Sequence, residues 1–180
     1  MAEDNRIQLE IVTPKGRALA LAVDEVSLPG ENGEFGVLPG HLPTLAAART
    51  GIVTYRQGNE SKKCAIGGGF VEVGRAKVVV ITDEFIERGA IDPVIVRKQL
   101  ADVQGELAKM LAEALDRTQA NVVAAASTLI AKENWLAAQL ELYGDPPPAT
   151  LRPYEEYGPP ANEDDAAAEG ETAPPRTAAP

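Results

Sequence analysis

The sequence predicts an α+β chain of two domains and a tail: an N-terminal β-sandwich, a C-terminal antiparallel α-helical hairpin, and an acidic, Pro-rich extension. Three observations carry this reading. Residues 1–88 alternate apolar with polar positions between closely spaced turn residues, as short strands do. Residues 93–143 switch to the spacing of helices with one apolar face. Residues 144–180 hold nine of the fourteen prolines and lose any apolar rhythm.

In the first zone Ile7, Leu9 and Ile11 alternate with polar neighbours, as do Leu19, Leu21 and Val23. Ile52-Val53-Thr54-Tyr55 and Val78-Val79-Val80-Ile81 are β-branched or aromatic runs. Turns fall at Pro14-Lys15-Gly16, Pro29-Gly30, Asn32-Gly33, Pro39-Gly40, Gly51, Gly58-Asn59 and Gly74. Strands this short and regular close into a sandwich or barrel. Val78 to Ile81 is apolar at every position, which predicts a strand buried on both faces.

In the second zone Val96, Leu100, Val103, Leu107, Met110 and Ala114 form one seam. Val122, Ala126, Leu129, Glu133, Leu136, Leu140 and Tyr143 form another, interrupted only by the glutamate. Each predicts a long helix with a single apolar face. The join near Asp116 to Gln119 is short, so the helices should run antiparallel. Asp92 suits the N-cap and Pro93 the first helical position. Gly89 and Ala90 form a short, pliable link, which sets the expected domains at 1–88 and 89–143. Residues 144–180 cannot bury enough apolar surface to offset their ordering entropy and are expected to be a disordered tail.

Charge excludes one class of function. The formal net charge is -10, which offers no basic surface to nucleic acid. Residues 144–180 carry eight acidic and two basic side chains, so over half of that charge belongs to the tail. The N-terminus lacks a signal or transit pattern, and no run reaches the ~18 apolar residues of a membrane span. The chain is expected to be soluble.

Chemistry is hard to find. His41 and Cys64 are each the only residue of their type, so a nucleophilic triad, a disulfide or a zinc site is not expected. Gly67-Gly68-Gly69 lacks the Lys-Ser/Thr of a phosphate loop and runs into a strand, not a helix. These glycines predict a bulge or a close backbone approach. Glu31, Glu34, Asp83, Glu84 and Glu87 sit at turns or strand ends with no paired geometry evident. No catalytic, metal or cofactor residue is assigned.

The specific part of the chain is Pro29-Gly-Glu-Asn-Gly-Glu-Phe-Gly-Val-Leu-Pro-Gly-His-Leu-Pro-Thr-Leu45. It resembles a segment near the start of the epsilon subunits of bacterial F-type ATP synthases. Ala65-Ile-Gly-Gly-Gly-Phe-Val-Glu-Val73 and Val78-Val-Val-Ile-Thr-Asp-Glu-Phe-Ile-Glu-Arg88 resemble later family segments in the same order. The resemblance covers residues 5 to about 143 and leaves out the tail.

The resemblance implies about ten strands and a place on the central stalk. It implies a non-catalytic rotor subunit that couples the gamma subunit to the membrane-embedded ring during proton- or sodium-driven ATP synthesis. It implies a peripheral location on the cytoplasmic side of a bacterial inner membrane. The turn from Glu31 to Phe35 would lie toward the ring, and Pro39, His41 and Thr44 toward gamma. The helices would touch alpha and beta subunits and inhibit ATP hydrolysis. The hairpin seam that would open and close is Val96, Leu100, Leu107, Leu129 and Leu136.

Some family members bind ATP through Ile/Leu-Asp-x-x-Arg-Ala. Ile91 and Asp92 match its start, but Ile95 and Val96 stand at the Arg and Ala positions. Arg97 comes two residues late, and after Arg117 the second helix offers only Lys132. A triphosphate needs more cations than that. Residues 93–143 carry five basic and six acidic side chains, so inhibition is expected to be weak or to rely on apolar insertion rather than charge. Two other classes compete: a free-standing nucleotide-sensing module, which the broken motif disfavours, and a sandwich enzyme or carbohydrate binder, which the 4% aromatic content disfavours.

Overall fold

Every strand of the first zone forms. The structure, a computed structural model, describes residues 6–114 and 120–147, with side chains at 6–110, 112 and 126–147. The strands are β1 (Ile7–Thr13), β2 (Gly16–Val23), β3 (Glu25–Gly30), β4 (Gly33–Val37), β5 (Thr44–Ala48), β6 (Gly51–Gln57), β7 (Glu60–Ile66), β8 (Gly69–Val73), β9 (Lys77–Thr82) and β10 (Phe85–Glu87). They form one sheet in the order β10-β7-β6-β3-β5-β8-β9-β1-β2, with β4 paired to β3. Every pairing is antiparallel except β1 with β9, which is parallel.

The sheet rolls over on itself around an aliphatic core. Gln57 Nε2 donates to the Ala22 carbonyl at 2.9 Å, which ties β6 to the far edge strand β2. Leu9, Ile11, Val23, Val26, Leu28, Val53, Ile66, Val71, Val78 and Val80 fill the interior and are fully buried. These side chains are the inward half of the alternation seen in the sequence.

β9 corrects one expectation. Val78, Val80 and Thr82 point inward and are buried, whereas Ile81 is exposed and Val79 half-buried. The second face of this strand is apolar but uncovered by the described residues. Burial on both faces occurs instead at the end of β7, where Cys64 and Ile66 face the interior and Ala65 faces outward into a second cluster.

The Gly67-Gly68-Gly69 run is a close backbone approach. A Cβ on Gly69 would stand 2.0 Å from the Ile81 carbonyl oxygen. The buried Thr82 hydroxyl donates within reach of the Gly67, Gly68 and Glu84 carbonyls at 3.0, 3.2 and 3.1 Å, binding the loop to the next turn.

A short 3-10 turn over Arg88–Ala90 leads to α1 (Pro93–Ala114) and α2 (Ala120–Tyr143). Asp92 caps α1, its Oδ1 accepting from the amides of Val94 at 3.0 Å and Ile95 at 3.2 Å. The helices run antiparallel: Gln104 of α1 donates to Glu133 of α2 at 2.9 Å, and Arg97 in the first turns of α1 meets Asp145, two residues past the end of α2. Glu133 therefore interrupts the seam because Gln104 faces it.

In α1, Val96, Leu100 and Val103 are buried, and Leu107 and Met110 half-buried. In α2 the single seam needs correction. Leu136 to Leu140 are all buried, Leu142 is buried too, and Tyr143 is exposed. This end of α2 sits between α1 and the outward face of β6 and β7, so one apolar stripe is not enough. Ile91, Val96, Leu100, Val103, Leu136, Leu140 and Leu142 join Ala65 in one cluster, with Ile52 and Ile86 against it. Sandwich and hairpin fall in one compact unit that runs to Pro147. The expected join at Asp116 to Gln119 lies outside the described residues, as does the tail beyond Pro147. Among the described residues no helix is long and apolar enough to cross a membrane.

Two predictions follow from packing. Gly69→Ala should lower the unfolding free energy by about 1–3 kcal/mol, since backbone, not a movable side chain, occupies the space. Gly105→Ala, in mid-α1 with nothing within 4 Å of the added methyl, should raise it by about 1 kcal/mol. Urea unfolding curves of the two variants check both signs. A third concerns Cys64, whose thiol is pushed up from 9.0 to about 12 by burial and then by the Glu87 carboxylate. The native thiol keeps its proton where the unfolded thiol loses it, so stability should fall as pH rises from about 9 toward 12. Burial also raises Tyr55, with Cys64 and Glu87 contributing, and adds to the alkaline loss. Cys64→Ala should flatten part of that slope in pH-dependent denaturation, and the native thiol should resist alkylation at neutral pH.

Candidate functional site

Register decides what the outer face of β5, β8 and β9 displays. Ala47 pairs with Phe70 and Phe70 with Ile81; Leu45 pairs with Glu72 and Glu72 with Val79. Their neighbours Val71, Val73, Val78 and Val80 point inward, so these residues must point out. Leu45 is 75% exposed, Phe70 59% and Ile81 54%. Leu42, in the loop that leads into β5, is 79% exposed. Large apolar side chains gathered on one uncovered face mark an interaction surface.

The loop before β5 is built to hold that face. Its amide ladder starts with His41 N donating to Leu38 O at 3.1 Å across Pro39 and Gly40. Gly40 has φ +82, a conformation that side-chain-bearing residues rarely adopt. His41 Nδ1 lies 2.8 Å from the Leu42 carbonyl, and Thr44 Oγ1 donates to the same oxygen at 3.0 Å. A carbonyl accepts only, so Nδ1 carries the proton. Pro39, His41 and Thr44 thus shape the loop, while Leu42 projects from it.

Glu31 lies elsewhere. It and Asn32 form the two-residue turn between β3 and β4, with Gly33 following at φ +120. The Glu31 amide donates to Ala47 O at 3.0 Å, which fixes this turn beside the far end of β5. Phe35 is not on that turn's surface; it is half-buried against the core. Gly30, Ala48, Gly69 and Thr82 pair in succession, so the Glu31 turn sits at one end of the sandwich. Thr44, Val73 and Val78 pair at the other end of the same strands, where the Pro39 loop enters. A strand of this length separates the two by about 13 Å.

The residues that match the ATP motif have other uses. Ile91 is buried in the cluster beneath the hairpin, and the Asp92 carboxylate caps α1. Arg97 pairs with Asp145, and Arg88 lies 5.8 Å over the Tyr143 ring. No group of three or more His, Cys, Asp or Glu among the described residues is arranged to hold a metal. His41 Nδ1 is engaged by the Leu42 backbone carbonyl.

Sequence reading named the loop but missed Leu42, Leu45, Phe70 and Ile81. A signal was present: Phe70 shares its parity in β8 with Glu72, which places it outward. Val79 and Ile81 continue the same face in β9.

Comparison with known proteins gives this arrangement a family. Residues 6–88 match the family model for the β-sandwich domain of the ATP synthase delta/epsilon chain. An ATP synthase epsilon chain of Anaeromyxobacter sp. (strain Fw109-5) is 38% identical over 104 residues, covering 58% of this chain and 79% of the relative. One from Syntrophobacter fumaroxidans is 41% identical over 119 residues, covering 66% and 84%. The fold is similar to a chain of the Euglena gracilis mitochondrial ATP synthase structure containing OSCP, F1 and c-ring, at TM-score 0.60 and 21% identity, covering 76% of this chain and 80% of that one. A sandwich with a docked hairpin, an uncovered apolar face and relatives so matched identify the chain as a member of the ATP synthase epsilon-chain family, a rotor-stalk subunit of the F-type enzyme that is itself non-catalytic.

Proposed function

We propose that the outer face of β5, β8 and β9, with the Leu42 loop, is the surface that grips the gamma subunit, and that residues 1–88 form the coupling body. The observation that carries this reading is the exposure of Leu42, Leu45, Phe70 and Ile81 together. Burying such side chains is worth about 1.5–3 kcal/mol each, and the described residues leave them bare. Pro39, His41 and Thr44 act as the frame of that surface. The Glu31 turn, at the opposite end of β5, contacts the membrane-embedded ring through polar atoms. In this reading torque passes from ring to gamma through a stiff sandwich, on the cytoplasmic side of a bacterial inner membrane.

Residues 89–143 form the arm that regulates hydrolysis, with Val96, Leu100, Leu107, Leu129 and Leu136 as the seam that closes it. Its near-balanced charge favours apolar insertion between alpha and beta subunits over charge attraction. A free-standing nucleotide sensor finds no support in side chains already committed to a cap, a core and an ion pair.

The test is a pull-down of the chain by its own organism's gamma subunit. Phe70→Asp and Leu45→Asp should each weaken capture at least 30-fold, on the order of the 2 kcal/mol that marks a hot spot. Glu31→Lys should leave gamma capture unchanged. Equal capture by all three variants would remove gamma from this face. Separately, truncation after residue 89 should raise ATPase activity only modestly and with little salt dependence. A many-fold, strongly salt-dependent rise would mean that charge drives inhibition.

A further inference from the structure

The end of α2 is held from two sides within three residues. Gly144, at φ +101, terminates the helix: its amide donates to Glu141 O at 3.1 Å, and the Asp145 amide returns to Leu140 O at 2.9 Å. This is the paired-bond helix stop that glycine permits. The reversal turns Asp145 back toward α1. There its Oδ2 accepts from Arg97 Nε at 2.7 Å and also from Arg97 Nη2. On the other side, Arg88 of the 3-10 turn lies over Tyr143. Among the described residues no other ion pair joins the two helices.

We propose that Arg97 and Asp145 form an ionic clasp that closes the hairpin at its mouth, so that ionic strength, without any bound ligand, modestly shifts how readily the arm opens. The inference rests on reading residues 89–143 as a regulatory arm. The clasp lies at the end of the hairpin where α1 begins and α2 stops. Beneath it are Leu140 and Leu142, whose burial against the sheet is lost if the last turn of α2 lifts. The two side chains are 56% and 45% exposed, so dissolved ions reach them. Raising salt toward 1 M shortens the screening length from about 10 Å to about 3 Å and weakens such a pair. Elsewhere the mouth is held by apolar packing and by Arg88 on Tyr143, which salt affects less. Arg97 is thus tied to the chain's own carboxylate where a ligand-dependent arm would need a free cation.

The experiment follows amide hydrogen exchange of residues 136–142 in the free full-length chain, with Trp135 fluorescence as a second readout. Trp135 is the single tryptophan and packs against the hairpin–sheet cluster. Asp145→Asn and Arg97→Gln should each speed exchange about two- to fivefold, the range of an exposed pair. High salt should speed the unsubstituted chain similarly and leave both variants unmoved. The double exchange Arg97→Asp with Asp145→Arg should return exchange toward the original rate. Unchanged rates in the single variants, a salt response that survives in them, or a double variant as fast as the singles would each overturn the clasp. Because no partner subunit is present, any of these outcomes leaves gamma capture by the sandwich to its own test.

Discussion

Three residues of β7, Cys64-Ala65-Ile66, are covered on both faces, and the two halves of the molecule meet through them. Cys64 and Ile66 complete the aliphatic interior of the sandwich. Ala65, one step out of phase, floors the helical cluster beside Ile52 and Ile86. A strand has only two faces, so using both forbids any polar residue here. Ala is the small choice that lets packed helices approach the sheet. A charge at position 65 or 66 would be buried among aliphatic side chains. The same enclosure is why the only thiol of the chain should resist alkylation.

The opposite side of the sandwich uses the same apolar signature without a cover among the described residues. Phe70, Ile81 and Leu45 could have been Thr or Lys at no cost to the interior, which is complete without them. Keeping them apolar favours association over solubility, a choice that makes sense when a partner is permanent. Loop chemistry agrees. His41 and Thr44 share one carbonyl acceptor so that Leu42 is held outward rather than left to fold back on the sheet.

Much of this was legible in the residues. Alternation at Ile7, Leu9 and Ile11 gave a strand, and Asp92-Pro93 gave a helix start, because both are local signals. Gly67 to Gly69 announced a tight approach, and the Ile81 carbonyl beside Gly69 is its cause. The run Val78 to Ile81 announced two apolar faces but not who covers the second. Pattern reports that a face avoids water, and it is silent on whether the cover belongs to the same chain. The all-round burial of Leu136 to Leu140 was illegible for a related reason. Helical periodicity reveals one preferred face, and a helix end wedged between a sheet and a second helix has none. The Arg97–Asp145 pair joins residues 48 positions apart and could not be inferred from spacing.

The placement of the two surfaces has a mechanical consequence. Hairpin contacts are made by β6, β7 and β10, through Ile52, Ala65 and Ile86. The uncovered face is made by β5, β8 and β9. β3 lies between these groups in the sheet. Lifting the helices therefore bares Ala65 and its neighbours while leaving Leu45, Phe70 and Ile81 where they were. The inner core that separates the two faces is aliphatic and close-packed, and it transmits load without needing to rearrange. Under the function proposed above, a chain built this way would change the state of its arm while its body stays bound. That independence is what a coupling part requires if regulation is not to interrupt the coupling itself.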